Sequence, residues 1–245
     1  MESQWSRTLV VLPAYNEAET VGATVAEVRA TLPGIQCLVV DDGSRDETAA
    51  VAAAAGAQVA SFPFNIGVGG AMRFGYRYAV RHGFETVIQI DADGQHDPRY
   101  VPQLVDALSG CDIVIGARFA GEGEYSVTGP RKWAMSMLAF IIGRAARVRL
   151  TDTTSGFRAT GPRATAFFAR EYPAEYLGDT VESLVDAIRA GLRVSQVPVA
   201  MRPRLGGIPS QNAWKSTVFL VRAGVALVFA FARPRRHSHG ESSLT

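Results

Sequence analysis

The sequence of 245 residues contains only two cysteines, and it lacks an internal repeat and a long unbroken apolar run. Cys37 and Cys111 both fall in predicted apolar strands, which indicates reduced, buried thiols and excludes a disulfide framework. The first residues contain neither an apolar h-region nor a small-residue cleavage site, so they predict no signal peptide. Hydrophobic residues make up 47% of the chain, which is enough for a sizeable core.

Two late segments are apolar but too short to span a bilayer, which needs about 20 apolar residues. Residues 133–143 form a stretch of 11 residues without a charge, and Arg222 interrupts the last predicted helix, 213–232. Basic residues flank both segments, as is typical of a helix that lies in the membrane interface. For the first segment, packing on the domain's own core is an equal alternative. For the second, contact with a membrane or a partner is favoured.

The net charge of +2 is distributed unevenly along the chain. Residues 1–130 hold 8 Lys/Arg and 16 Asp/Glu, a net charge of −8, whereas residues 131–245 hold 17 and 7, a net charge of +10. An acidic half suits cation binding, and a basic half suits phosphates or an anionic membrane surface. The alternative is a pair of solvated faces of opposite sign.

Strand and helix patterns alternate through the first half, which predicts an α/β fold with a mostly parallel central sheet flanked by helices. The predicted strands are 8–13, 35–40, 58–62, 86–90 and 112–116, with helices at 17–31, 45–55, 67–82 and 98–108 between them. Later residues predict helices at 132–148 and 180–190, a strand at 193–199, and a disordered tail. Ligands of such sheets bind at the carboxyl ends of the strands.

Acidic residues follow three of these strands. Asp91 and Asp93 are one residue apart at the end of the fourth strand, so both carboxylates can point at one spot and would repel each other without a cation. Mg²⁺ and Mn²⁺ take one or two carboxylates and complete their shell with water and phosphates. The pair therefore suggests a metal–diphosphate site, although Asp-x-Asp alone is more often a solvated turn. Asp97 and Pro98 are better explained as a helix start, with His96 beside them.

The other two clusters lie after the first and second strands. Glu17 is at a helix N-terminus, and Asp41 and Asp42 end the second strand, where carboxylates can accept hydrogen bonds from a base or a ribose. Helix capping explains at least one of Ser44 and Asp46. The glycine-rich residues 65–70 lack both the P-loop and the dinucleotide fingerprints, so their glycines predict close helix–sheet packing.

Taken together, these motifs resemble family 2 glycosyltransferases with the GT-A nucleotide-sugar-binding fold, above all the dolichyl- and polyprenyl-phosphate sugar transferases. The matching strings run in the family's order over residues 8–207: PAYNE (13–17), VVDDGSRDET (39–48), NIGVGGAMRFG (65–75), DADGQHDP (91–98), IGARF (115–119), DTTSGFRA (152–159) and VPVAMRPR (197–204). One departure lies in the late loop, where Gln211 stands at the position of a family lysine. The resemblance implies a GT-A domain over 1–207, an apolar helix at 208–233 and a disordered tail at 234–245.

The resemblance also implies a role for each matching residue. Nucleotide-sugar binding would fall to Pro13, Tyr15, Glu17, Val40, Asp41, Asp42, Asp91 and Ala92. A divalent cation, Mg²⁺ or Mn²⁺, would be held by Asp91, Asp93 and Gln95. The catalytic set would be Asp93, Arg118, Arg158, Glu182 and Arg204, and Arg131, Ser155, Gly156 and Phe157 match further family positions.

The activity implied is metal-dependent, inverting transfer of a hexose from a nucleotide diphosphate sugar to a polyprenyl phosphate. It would be carried out by a cytoplasmic protein at the inner face of the cell membrane, with no nucleic acid partner. A hydroxyl acceptor is the alternative, and it would need Asp179 or Glu182 as general base. A binding module without turnover and a nucleotidyltransferase are further alternatives, and the second is disfavoured because no triphosphate loop follows the first strand.

Overall fold

The computed structural model of the chain describes residues 5–118, 130–173, 179–204 and 206. The strands within these ranges are β1 (Thr8–Ala14), β2 (Gln36–Asp41), β3 (Gln58–Ser61), β4 (Thr86–Gln89), β5 (Ile113–Ala117), β6 (Arg158–Thr160) and β7 (Val194–Pro198). The α-helices are α1 (Val21–Thr31), α2 (Thr48–Ala54), α3 (Gly67–Arg81), α4 (Val101–Ala107), α5 (Pro130–Ala146), α6 (Pro162–Glu171) and α7 (Asp179–Arg189). Short 3-10 turns, Pro98–Tyr100 and Leu108–Gly110, flank α4.

The seven strands form one sheet in the order β3-β2-β1-β4-β6-β5-β7. Every pairing is parallel except those of β6, which runs antiparallel between β4 and β5. The predicted mostly parallel sheet is therefore confirmed. Because β6 is reversed, its first residue lies at the same edge as the last residues of the other strands. Segments distant in sequence meet at that edge.

Both faces of the sheet are buried, which explains why its central strands read as nearly continuous apolar runs. In β1, Leu9 and Val11 face one core cluster, while Val10 and Leu12 face the other. Residues of α3, α6 and α7 complete the first cluster, and residues of α1 and α4 complete the second. The strand ends at the carboxyl edge of the sheet are thus held in place by packing on both faces.

Two elements in the second half are absent from the sequence prediction. Strand β6 has three residues, too few to show a period of two. Helix α6 begins with Pro162 at its first turn and buries Ala164, Thr165 and Phe168, so both a start signal and a helical spacing were available. Helix α1 begins at Val21 rather than at 17 because the preceding residues form the loop that carries Glu17. The predicted C-terminal helix and tail lie outside the described residues.

The expectation that the glycines of residues 65–70 serve helix–sheet packing is wrong for two of them. Gly67 has a φ of +86°, and its N–H donates to the Asp42 carboxylate at 2.8 Å. A side chain at Gly70 would meet Ile66 of the same loop. The predicted kind of packing occurs further along, at Gly75, where a Cβ would lie 2.6 Å from Val11 Cγ1.

Candidate functional site

Six loops meet at the carboxyl edge of the sheet. They follow β1, β2, β4, β5 and β7, and the loop before β6 joins them because that strand is reversed. This is the edge at which parallel α/β sheets bind their ligands. The structure therefore brings the three acidic clusters of the sequence to one end of the molecule.

Arg204 joins two of these clusters. Its Nη2 donates to the Glu17 carboxylate, and its Nη1 lies 3.2 Å from Asp93 Oδ2. Its Nε donates to the Gly206 carbonyl at 2.6 Å, which fixes the direction of the guanidinium. Glu17 and Asp93 are both buried. Three residues that the sequence assigns to the site, 187 positions apart at the extremes, are thus in direct contact.

The charge of Arg204 does not offset the whole cost of burying the Asp93 carboxylate beside Asp91. Burial and the negative charge of Asp91 raise the pKa of Asp93, while the Gln95 N–H, at 3.0 Å, and the charge of Arg204 oppose the rise. A further cation near the two aspartates would relieve this cost. The side chain of Asp91 is 42% exposed, so its carboxylate faces open space at the edge.

The residues present fit a divalent cation that is shared with a diphosphate. Among the described residues, no three His, Cys, Asp or Glu side chains cluster as a complete metal cage. Mg²⁺ and Mn²⁺ are commonly bound by only two protein carboxylates when substrate phosphates and water supply the remaining ligands. The Gln95 side chain lies near the Arg202 carbonyl, with Nε2 at 3.4 Å from it.

Asp41 and Asp42 hold loops in place at the neighbouring strand end. Asp42 accepts the N–H groups of Ile66 and Gly67 at 2.7 and 2.8 Å, and Asp41 accepts that of Ser44 at 3.0 Å. Burial raises the pKa of Asp42, although the two N–H groups oppose this. A carboxylate oxygen accepts more than one hydrogen bond, so a nucleoside contact is compatible with these bonds and stays a prediction.

The other predicted nucleoside residues lie around the same strand ends. Tyr15 is exposed, Pro13 is half-buried, and Val40 and Ala92 are buried in the structure. Asn16, which sequence reasoning missed, links the loops after β1 and β2. Its Oδ1 accepts the Arg45 N–H at 2.8 Å, and its φ of +54° marks a local constraint.

Arg118 is held at the edge by Asp152, a residue that sequence reasoning did not single out. The two form a bidentate pair, with Nε to Oδ2 at 2.7 Å and Nη2 to Oδ1 at 3.0 Å. Burial would raise the pKa of Asp152, but the guanidinium and the N–H groups of Arg118 and Thr154 hold the pKa below its usual value. The available signal was the position of Asp152 at the head of the matched string DTTSGFRA.

Arg158 is buried and bonds to its own loop. It donates to the Ser155 and Thr153 carbonyls, both at 2.9 Å, and approaches Ser183 Oγ at 3.4 Å. These contacts shape the segment before β6, so a direct catalytic role for Arg158 stays a prediction. Glu182 is half-buried on α7. The side chains of Arg131 and Asp179, and the whole of Gln211, lie outside the described part of the chain.

Asp97 confirms its predicted role at a helix start. It accepts the Arg99 N–H at 3.0 Å, and Pro98 occupies the first position of the turn. Asp46 accepts the Thr48 N–H at 3.1 Å, but it precedes the N-cap of α2, which is Glu47 and makes no side-chain cap bond, so the predicted capping by Asp46 is not seen at the N-cap itself. His96 has a different place, behind Asp91, with its Nδ1 3.0 Å from the Asp91 N–H.

Comparison with known proteins shows which family the chain belongs to. The undecaprenyl-phosphate mannosyltransferase of Micrococcus luteus is 33% identical over 211 residues, covering 81% of this chain and 84% of that protein. The polyprenol monophosphomannose synthase of Mycolicibacterium smegmatis is 31% identical over 231 residues, covering 84% and 81%.

Solved structures show the same fold. Glucosyl-3-phosphoglycerate synthase from Mycobacterium tuberculosis, crystallised with Mn²⁺, UDP and phosphoglyceric acid, superposes with a TM-score of 0.69 at 24% identity, covering 94% of this chain and 80% of that one. This likeness confirms the GT-A type of fold. The sequence profile described as glycosyl transferase family 2 matches residues 9–169. The chain belongs to glycosyl transferase family 2 and is a glycosyltransferase.

Proposed function

We propose that this enzyme transfers a sugar from a nucleotide diphosphate sugar to a polyprenyl phosphate, with inversion and with a divalent cation at Asp91 and Asp93. One observation carries the proposal: Glu17, Asp93 and Arg204 are joined beside Asp91 at the sheet edge. Relatives that cover 81% and 84% of the chain are named for the transfer of mannose to polyprenyl phosphates, so mannose is the first sugar to test.

The donor's diphosphate would lie between the aspartates and Arg204. A bound Mg²⁺ or Mn²⁺ would neutralise the charge that develops on the leaving diphosphate. Arg204 is within reach of the same spot, and a phosphate offers its guanidinium a charge-assisted, bidentate partner. Binding of donor would therefore release Arg204 from Glu17 and Asp93 toward the diphosphate. Asp41 and Asp42 would support the nucleoside side from the neighbouring strand.

A phosphate acceptor needs no general base. Its oxygen is anionic at neutral pH, so it forms the new bond to the sugar's C1 without losing a proton. The bond from C1 to the diphosphate oxygen breaks, and its electron pair leaves with the nucleoside diphosphate. Arg118, held rigidly by Asp152, would offer a positive charge to the acceptor or donor phosphate.

Helix α5 carries an exposed stripe that suits a membrane surface. Met137 is 45% and Phe140 71% exposed, Arg144 follows one turn after Phe140, and Arg147 comes directly after the helix end; both arginines are exposed. Apolar side chains beside arginines bind the boundary between acyl chains and anionic head groups. No helix in the described residues is long and apolar enough to cross a membrane. We therefore propose that α5 places the enzyme on the surface where its lipid acceptor lies.

The reaction is tested with purified full-length protein, Mg²⁺ or Mn²⁺, and labelled GDP-, UDP- and TDP-linked mannose. Polyprenyl phosphate and the matching neutral polyprenol serve as paired acceptors. We expect label in the lipid product only with the phosphate, and a loss of more than 100-fold with EDTA or with Asp91→Asn plus Asp93→Asn. Asp106→Asn, on an exposed carboxylate of α4, is the matched control and should leave the rate unchanged.

Two results would contradict the proposed reaction. Transfer to polyprenol that depends on Glu182 would show a hydroxyl acceptor with a general base. If no sugar nucleotide of a broader panel, including glucose donors, supports transfer to polyprenyl phosphate, the proposed acceptor is wrong.

The membrane contact is tested by flotation with vesicles that contain anionic phospholipid. Met137→Ser with Phe140→Ser should reduce the bound fraction several-fold. Val80→Ser removes a similarly exposed side chain, 49% exposed on α3, and should have no effect. Equal flotation of the double variant and the wild type would show that this stripe does not contact the membrane.

A further inference from the structure

His96 is a buried ring directly behind Asp91. Its side chain is 2% exposed, and its ring stacks on that of Phe157 with centroids 4.9 Å apart and planes 13° apart. Phe157 is itself fully buried, and the backbone of His96 bridges to Met201. The ring therefore has a single orientation, set by packing on one side and by the sheet edge on the other.

Both nitrogens of this ring face Asp91. The Asp91 N–H donates to His96 Nδ1 at 3.0 Å, so in the neutral ring the proton is on Nε2. Nε2 lies 3.6 Å from Asp91 Oδ2, slightly beyond hydrogen-bond length. A small closure of the site would make this a second bond. One side chain thus contacts the backbone of Asp91 and faces its carboxylate.

The other side of the Asp91 carboxylate is closed by Gly156. A Cβ at this position would lie 3.0 and 3.1 Å from the two carboxylate oxygens, tighter than ordinary contacts. The carboxylate therefore lies between a glycine backbone and the imidazole, and its remaining side is open to the edge. In this tautomer neither ring nitrogen of His96 has a lone pair left for a cation, because Nδ1 accepts the Asp91 N–H and Nε2 carries the proton.

We propose that His96 is a positioning residue that orients the Asp91 carboxylate toward the cation, and that the stack on Phe157 and the close approach of Gly156 fix that orientation. This inference rests on the proposed function, since it requires a cation at Asp91. Partners that hold metal-ligating side chains in place are typically worth 10- to 100-fold in metal affinity. Gly156 and Phe157, which precede β6, would then help to hold the Asp91 carboxylate in its metal-binding orientation.

The test measures Mn²⁺ affinity and the electron paramagnetic resonance spectrum of bound Mn²⁺, with and without GDP or UDP. His96→Phe keeps an aromatic ring on Phe157 but removes both nitrogens, and we expect about 10- to 100-fold weaker Mn²⁺ binding with an altered spectrum. His96→Asn keeps an acceptor near Nδ1, and His96→Gln keeps an N–H near Nε2. Both should recover part of the affinity.

The matched control is His82→Phe, because His82 also stacks on an aromatic ring, that of Tyr78 at 3.9 Å, and has Nδ1 2.9 Å from a carbonyl. It lies at the end of α3 and should leave Mn²⁺ binding unchanged. Thermal melting checks that each variant is folded. Where His96→Phe fails to fold, the Asn and Gln variants decide by the same affinity criterion.

The outcomes separate this inference from the proposed function. If Asp91→Asn weakens Mn²⁺ binding but the folded His96 variants bind as tightly as wild type with the same spectrum, the positioning role is wrong and the metal site stands. If wild type and Asp91→Asn bind Mn²⁺ equally, with or without nucleotide, the metal site itself is wrong and the inference fails with it.

Discussion

Replacing Arg204 by glutamine should destabilise the protein in the absence of metal and make it more responsive to metal. Arg204 is the cation that lies between Glu17 and Asp93, and both of these carboxylates are buried. Glutamine keeps much of the side chain's length and polarity but removes the charge. The two carboxylates, with Asp91 beside them, would then repel one another without compensation.

The expected loss of stability follows from two opposing free-energy contributions, the attraction of the ion pair and the desolvation of its ions. At an effective dielectric constant of about 20, a charge pair at 3–4 Å is worth roughly 4–5 kcal/mol before desolvation. Desolvation of the ions offsets much of this, whereas removing one partner of a buried pair costs about 3–5 kcal/mol. Because the Arg204 side chain is 21% exposed, we expect a net loss of about 2 kcal/mol. For a chain of this length that corresponds to a fall in Tm of about 4–8 °C.

The assay is thermal unfolding with EDTA and with increasing Mn²⁺. A cation bound at Asp91 and Asp93 replaces the lost charge, so Mn²⁺ should raise the Tm of Arg204→Gln by more than that of wild type. Arg7→Gln is the matched control, because Arg7 pairs with Glu85 in an exposed ion pair far from the site. Such pairs are worth about 0–1 kcal/mol, and the control should show no metal dependence of its own.

Two results would refute this reasoning. If Arg204→Gln melts at the wild-type temperature in EDTA, the arginine does not compensate the carboxylates. If Mn²⁺ raises the Tm of wild type and variant by the same amount, the cation does not bind at the charges that Arg204 offsets.

Three further predictions concern stability. Two arginines hold the pKa of Asp97 at about 2 despite its burial. Asp97→Asn should therefore lower the free energy of unfolding by about 1–2 kcal/mol above pH 4. Urea unfolding should show that this difference between variant and wild type disappears as the pH falls from about 4 to 2. Gly75→Ala, whose Cβ would lie 2.6 Å from Val11, should lower stability by about 1–3 kcal/mol in the same assay, and an unchanged midpoint would contradict it. Asp152→Ala leaves Arg118 without its carboxylate and should cost about 3 kcal/mol, more than Asp152→Asn.

The positions of the acidic residues were predictable because they depend on local pattern. Asp91 and Asp93 follow an apolar run, and polar residues at the end of a parallel strand lie at the ligand edge whatever the rest of the chain does. Asp97 was predicted as a cap for the same reason, since capping involves only neighbours in sequence. The roles of Gly67 and Gly70 could not be predicted from the sequence, because they depend on where Asp42 and Ile66 lie in space.

By itself, the sequence determined the alternation of strands and helices, the parallel core and the acidic edge, because these follow from hydrophobic spacing over a few residues. Only the tertiary structure decided which distant groups meet there. The insertion of β6 in reverse between β4 and β5 brings Gly156 and Phe157 against the Asp91–His96 loop, and the loop after β7 brings Arg204 to Glu17. Such pairings are set by packing between segments more than 60 residues apart along the chain, where local periodicity carries no information.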